Sequence, residues 1–123
     1  MTESGWVERQ LGHPVNKAFN TIIAANLLSK SRPNRDAGRV ALAVAEDDPR
    51  AKATVMQLVE EIGFDAVDAG IIEQSRRQQP GSPGYLKDCD VAGVRQALAE
   101  TTEVRTLDWR ATPNIPGTFA SPA

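Results

Sequence analysis

The 123 residues are enough for one domain folded around a single core. The sequence is 41% hydrophobic and 24% charged with a net charge of -2, which is typical of a globular protein and gives no reason to expect nucleic acid or an anionic membrane as a partner. The one cysteine, Cys89, excludes an internal disulfide or a cysteine-based zinc site. With no signal peptide and no apolar run near the roughly 18 residues that cross a membrane, we expect a cytoplasmic protein.

The first elements form a helix, a strand and a second helix. Residues 2–11 are a predicted helix with an apolar side, and Gly12 is placed to end it. A short buried strand is predicted over residues 15–19. A helix then carries the apolar residues 22–28, with Thr21 as its expected cap.

The best strand of the sequence is RVALAVA, residues 39–45. Its unbroken run of small and branched apolar residues is typical of a strand covered on both faces. A helix follows, with Asp47 or Asp48 as the cap and Pro49 in the first helical position. FDAVDAG, residues 64–70, is the next predicted strand.

This alternation of strands and helices with short turns predicts an α/β fold. We expect a partial Rossmann-like layer of about three parallel strands with flanking helices. It occupies residues 1–100, and the Pro- and Gly-rich residues 101–123 are a loosely ordered tail.

The stretch after Gly70 interrupts the alternation. Prolines and glycines between residues 80 and 84 prevent a long helix, so SRRQQPGSPGY, residues 75–85, is either a structured loop or an exposed arm. A final helix, VAGVRQALAE, is capped by Asp90.

The residues that carry chemistry are few. His13, the only histidine, precedes a proline and is interpreted as a solvated loop residue, so no catalytic residue and no metal site is predicted. The sequence contains neither G-x-G-x-x-G nor G-x-x-x-x-G-K-[ST], the glycine-rich turns that hold phosphates. Any ligand crevice is expected at the carboxyl ends of the strands, beside Glu46 and Asp68.

Three blocks in order, VNKAFNTI, RVALAVAEDDPRAKATVMQLVEEIGFDAVDAG and SRRQQPGSPGY, resemble the C-terminal half of the NADP oxidoreductases similar to coenzyme factor-420-dependent NADP reductase. That family combines a Rossmann fold with hydride transfer between NADP and a flavin or deazaflavin. The resemblance implies two sets of contacts: cofactor-binding residues Asn20, Thr21, Ile22 and Ala24, and substrate-binding residues Ser75, Arg76 and Gln78.

The sequence departs from that family in lacking its Gly-rich nucleotide-binding part. Two smaller departures are Glu46, where the family has a glycine, and Arg76, where it often has an aromatic residue. We therefore expect a truncated domain that is not competent alone and that forms a homo-oligomer or takes a partner chain to cover its exposed sheet edge. Two alternatives stay open: a subunit that completes an active site with its partner, and a non-catalytic interaction module acting through residues 75–85.

Overall fold

The computed structural model of this protein describes residues 2–33, 36–80 and 82–101. In chain order its elements are α1 (Glu3–Leu11), α2 (Ala24–Ser29), β1 (Ala41–Val44), α3 (Pro49–Glu61), β2 (Asp65–Asp68), a 3-10 helix (Ile72–Gln78) and α4 (Val91–Glu100). The predicted α/β class is confirmed. From residue 102 onward, the predicted loose tail lies outside the described residues.

The sheet of the described residues has two strands rather than about three. β1 and β2 are parallel, with Ala41 opposite Asp65 and Val44 opposite Asp68. The strand predicted over residues 15–19 is reduced to one isolated antiparallel bridge between Lys17 and Ala45.

The backbone conformation explains why that strand stops. Lys17 and Ala45 exchange two hydrogen bonds, with N–O distances of 2.9 and 3.0 Å. The next pair of an antiparallel ladder would join Phe19 to Ala43. However, Phe19 has a φ of +61°, which turns the chain, and the Ala43 carbonyl accepts a hydrogen bond from the side chain of Gln78 instead.

Strand β1 is covered on both faces, as its sequence predicts. All of its residues are at most 3% exposed. Leu42 and Val44 pack with Val59 of α3 and with Phe64. The alanines on the opposite face pack with a second cluster, which contains Val67, Ala69, Ile72 of the 3-10 helix and Leu98 of α4. Helix α3 therefore covers one face of the sheet, and α4 together with the 3-10 helix covers the other.

The first residues of the α-helices follow the N-capping rules, except in α2. Side chains of Thr2, Asp48 and Asp90 accept backbone N–H groups at the starts of α1, α3 and α4. In contrast, α2 has Ile23 in the capping position with no side-chain bond, so Thr21 does not cap it. The Thr2 hydroxyl also donates to the Ile72 carbonyl at 3.0 Å, which attaches α1 to the 3-10 helix.

A buried arginine fixes the turn from α3 into β2. Arg39 is 3% exposed, and its guanidinium donates to the Glu60 carboxylate at 2.9 Å and to Asp65 at 3.2 Å. Glu60 in turn accepts the Ala66 N–H at 2.8 Å. This network holds the end of α3 beside the start of β2.

None of the helices in the described ranges is both long and apolar enough to cross a membrane.

We expect Arg39→Met to lower the free energy of unfolding by about 2–4 kcal/mol, because it removes several charge-assisted hydrogen bonds from a buried position. Arg32→Met is the matched control, since Arg32 is exposed and its guanidinium donates to the nearby carbonyls of Ser29 and Ser31. Its expected effect is within about 0.5 kcal/mol. Urea denaturation measures the free energy of unfolding of both variants, and an equal decrease in the two would contradict a structural role for Arg39.

Gly63 is a second test of the turn, because its φ is +110° and a Cβ there would lie 2.5 Å from the Ser31 Cβ. Gly63→Ala should cost more than about 2 kcal/mol from strain and overlap together. Gly12→Ala shares a positive φ of +61° but meets no atom within 4 Å, so about 1 kcal/mol is expected. If urea denaturation shows a smaller loss of unfolding free energy for Gly63→Ala than for Gly12→Ala, the close packing of Gly63 against Ser31 is refuted.

Candidate functional site

A cleft lies beside β1, between this strand, α4 and the 3-10 helix. Its apolar wall is formed by Ala41, Ala43, Val94, Ala97 and Leu98, and its polar lining by Thr21, Arg77, Gln78, Lys87 and Cys89. The cleft encloses about 330 Å³ when the space open to solvent is included. Its closed part has room for only about one water molecule or a group of that size.

The cleft exists because no strand of the described residues pairs with the outer edge of β1, the edge that faces away from β2. Alternate residues of a strand direct their backbone groups to opposite edges, and those of Ala41, Ala43 and Ala45 face outward. The Ala41 N–H donates to the Cys89 carbonyl at 2.8 Å, and Ala45 pairs with Lys17. Between them, Ala43 is bonded by Gln78. Three separate groups thus take the place of a neighbouring strand.

Gln78 connects three segments at this edge. Its side chain is fully buried, and Nε2 donates to the carbonyls of Ala43 at 3.1 Å and Lys17 at 3.3 Å. Its own carbonyl accepts the Asn20 side-chain amide at 2.6 Å, across 58 residues of sequence. The structure therefore brings together one predicted cofactor-binding residue and one predicted substrate-binding residue.

The other predicted cofactor-binding residues are placed differently. Thr21 lines the cleft beside Gln78. Ile22 is 6% exposed and packs in the core cluster around Leu42, while Ala24 is exposed at the start of α2. The side chains of Ile22 and Ala24 do not line the cleft, because the chain turns away from β1 to enter α2.

The predicted substrate-binding residues lie on the 3-10 helix. Ser75 is fully buried, one turn before Gln78. Its hydroxyl and the Nε of Arg76 are buried, and neither finds a hydrogen-bond partner in the described part of the chain. The part of residues 75–85 that belongs to the 3-10 helix is therefore structured and is not an exposed arm. The role of Ser75 and Arg76 in binding stays a prediction.

The carboxyl ends of the strands are filled by groups of the chain itself. Glu46 is 3% exposed, and its carboxylate accepts the N–H groups of Asp47 and Asp48 at 3.1 and 3.2 Å. The Asp47 carboxylate accepts the Ile72 N–H at 2.9 Å, which places the start of the 3-10 helix over this end of the sheet. The expected crevice beside Glu46 is thus occupied by its own carboxylate and by this helix.

Asp68, the last residue of β2, forms an ion pair with Lys52. Partial desolvation raises the pKa of its carboxyl group, but hydrogen bonds from the Gly70 N–H and from Lys52 outweigh it, so the net shift is downward. The Asp68–Lys52 distance is 3.0 Å. Together with Glu46, Asp47 and Asp48, it makes this end of the sheet acidic.

The sequence interpretation missed the contribution of Lys87 and Cys89 to the cleft. No local pattern of the sequence indicates that the Cys89 carbonyl closes the edge of β1. This contact joins residues 48 positions apart, so periodicity cannot indicate it. Within the described residues, no group of three or more His, Cys, Asp or Glu side chains is arranged to hold a metal ion.

Comparison with known proteins gives two matches that bear on the fold. No family model matches the chain. The Escherichia coli K12 protein YjhV is 40% identical over 91 residues, which are 72% of this chain and 61% of that protein. A crystal structure from Arthrobacter sp. FB24, described as a "putative f420 dependent nadp-reductase", is 28% identical with a TM-score of 0.50, over 59% of this chain and 33% of that one.

The match to the solved structure indicates that the fold of this chain is similar to that of a Rossmann-like reductase. The chain spans about three fifths of the length of the first protein and one third of the second. The name of the first protein states no activity.

Lys17, at the edge of the site, gives a pH-dependent test. Desolvation lowers the pKa of its amine, and the nearby Glu3 carboxylate only partly offsets this effect. In the unfolded chain the Lys17 amine has a pKa near 10.5, so at alkaline pH it binds more protons there than in the folded chain. The stability of the wild type should therefore rise with pH in the alkaline range.

Lys17→Met should be more stable than the wild type at pH 7, and its free energy of unfolding should lack that alkaline rise. Lys87→Met, at an exposed lysine, serves as the control and should keep it. Urea denaturation at a series of pH values decides the matter, and parallel pH profiles for Lys17→Met and the wild type would contradict the assignment.

Proposed function

We propose that this chain supplies the nicotinamide side of an NADP-linked oxidoreductase, in which a hydride passes between NADP(H) and a flavin or deazaflavin. The main support is the hydrogen bond between Asn20 and Gln78, at 2.6 Å. It joins the two sequence blocks that the family resemblance assigns to the two ring systems. The similarity to the Arthrobacter reductase adds to this support.

Such chemistry asks little acid or base catalysis of the protein. The cofactors carry the hydride, and the protein holds two rings at the right distance and excludes water. The site fits this task because Asn20, Thr21, Ser75 and Gln78 offer amide and hydroxyl groups. Thr21 lines the cleft, Asn20 bonds to Gln78, and the buried hydroxyl of Ser75 lies one turn before Gln78.

The phosphates of NADP require a second polypeptide in this proposal. The turn after β1, at a carboxyl end of the sheet where open α/β folds bind their ligands, carries Glu46, Asp47 and Asp48 in this chain. The N–H groups of Asp47 and Asp48 are already bonded to the Glu46 carboxylate. Because this turn would repel an anion, a partner chain or a second copy supplies the phosphate contacts.

Because β1 itself is buried, that partner would dock at the mouth of the cleft beside it. There the outer edge is bonded by Cys89, Gln78 and Lys17 rather than by a strand. A homo-oligomer or a complex with a nucleotide-binding chain would bring the phosphate site next to the cleft.

Titration of the chain with NADPH by calorimetry tests the proposal. We expect saturable binding that weakens about fivefold in Asn20→Ala, as the loss of one hydrogen bond of about 1 kcal/mol implies. Asn16→Ala is the control, since Asn16 is exposed and four residues away on the same segment. Saturation should be followed at several protein concentrations, so that a dimeric binding form is detected.

Failure of NADPH to saturate at any of those concentrations would exclude a second copy as the source of the phosphate contacts, and failure in the presence of a nucleotide-binding partner chain as well would overturn the proposal. Equal affinity of the wild type and Asn20→Ala would leave NADP binding in place and remove Asn20 from it.

A further inference from the structure

Helix α2 connects the two sides of the cleft. It begins shortly after Thr21, which lines one side. At the other side, the Asp88 carboxylate oxygen Oδ2 accepts hydrogen bonds from Asn26 Nδ2 at 2.8 Å and from Lys30 Nζ at 2.7 Å. Asp88 itself stands between two residues that line the cleft. The helix therefore leaves from one side of the cleft and is fastened to the other.

The helix has little stability of its own. It has six residues, none of them buried, and no side chain caps its first turn. Leu27 is half-buried and packs against the core cluster around Leu42, whereas Leu28 is 88% exposed. A helix this short is marginal in water, so its position depends on the contacts that it makes with the rest of the molecule.

The chain is anchored on both sides of α2. Before the helix, Ile22 is 6% exposed in the core. After it, the Arg32 N–H donates to the Gly63 carbonyl at 3.0 Å. Residues 23–31, which we call the strap, thus have two fixed ends and a middle part that is fastened to Asp88.

The bond between the strap and Asp88 carries a cost that favours its release. Both donors bond to Oδ2, while Oδ1 of the same carboxylate is buried and has no partner in the described part of the chain. A buried acceptor without a hydrogen bond costs free energy, and the cost is larger for a charged group. Release of the strap would expose this oxygen to water, which offsets part of the loss of the two bonds.

The size of the cleft gives such a release a purpose. The closed part has room for only about one water molecule, so a larger ligand needs the cleft to open. We propose that the strap is a gate, which is closed while Asn26 and Lys30 bond to Asp88 and which lifts from the cleft when these bonds break. The gate acts for any ligand of the cleft, so it does not rest on the proposed function.

Cys89 reports on the gate because it is the only cysteine and lines the cleft. Its side chain packs against the first turn of α4, where a Cβ added at Gly93 would lie 2.7 Å from the Cys89 Cβ. The probe is the neutral reagent N-ethylmaleimide, and intact mass spectrometry follows its reaction with the whole chain at neutral pH. Lys30→Met should raise the rate about three- to fivefold, as the loss of one partly exposed ion pair implies.

Lys87→Met is the control for charge. Lys87 lies two residues before Cys89 and lines the cleft, but it is not one of the two donors to Asp88. Nearby cations favour the reactive thiolate, so the loss of either lysine charge by itself slows the reaction. Lys87→Met should therefore react no faster than the wild type. An unchanged or slower rate in Lys30→Met, or an equal increase in Lys87→Met, would refute the gate.

Lys52→Met is the control for stability. It breaks an ion pair with Asp68 of 3.0 Å, on α3 and β2 rather than on the strap. If the reagent reached Cys89 only after the whole chain unfolds, this variant would raise the rate as much as Lys30→Met does. We expect it to stay within about twofold of the wild type, and an increase equal to that of Lys30→Met would overturn the proposal.

Hydrogen exchange of the wild-type chain gives a test that needs no variant. The Leu27 amide donates to the Ile23 carbonyl within the strap, and the Phe64 amide donates to the Val59 carbonyl in the core, both at 3.1 Å. A strap that opens locally should leave Leu27 with a protection factor at least about a hundredfold below that of Phe64. Equal protection of the two amides would mean that the strap opens only with the whole molecule, which contradicts a gate.

Discussion

The fold depends on satisfying the backbone groups at the outer edge of β1. This strand is buried on both faces, so its outward N–H and C=O groups have little access to water and need partners within the protein. The chain meets this need with the Cys89 carbonyl, the Gln78 side chain and the Lys17 backbone. These three groups come from the loop before α4, the 3-10 helix and the segment before α2. Closing one strand edge therefore determines how three otherwise separate parts of the molecule are placed.

The candidate site follows directly from that arrangement. A neighbouring strand would pack its own side chains beside β1, whereas a single side-chain amide leaves space between β1, α4 and the 3-10 helix. The amide that closes the edge has only its Nε2 end engaged, and its buried Oε1 has no partner among the described residues. The burial of Gln78 and its bonds to three segments give it a structural role at this edge.

Sequence reasoning was most successful where local rules operate. The run of small apolar residues predicted a strand covered on both faces, and Asp48 with Pro49 marked the start of α3, as the structure has them. It failed for residues 15–19, where the apolar pattern suggested a strand. The positive φ of Phe19 ends that strand after one bridge, and a phenylalanine gives no sign of such a conformation. Of the seven residues that the family resemblance indicated, Thr21 and Gln78 line the cleft and Asn20 bonds Gln78, but Ile22 lies in the core.

The sequence by itself determined the α/β class, the caps of α3 and α4, the lack of a glycine-rich phosphate turn and the acidic turn after β1. These depend on residue types at short spacing, which set hydrogen bonds and periodicity within a few positions. Only the tertiary structure decided which groups close the outer edge of β1 and where a cleft is left. The reason is that a side-chain hydrogen bond between Gln78 and Ala43 spans 35 residues, and its geometry exists only after α4, the 3-10 helix and the sheet have packed.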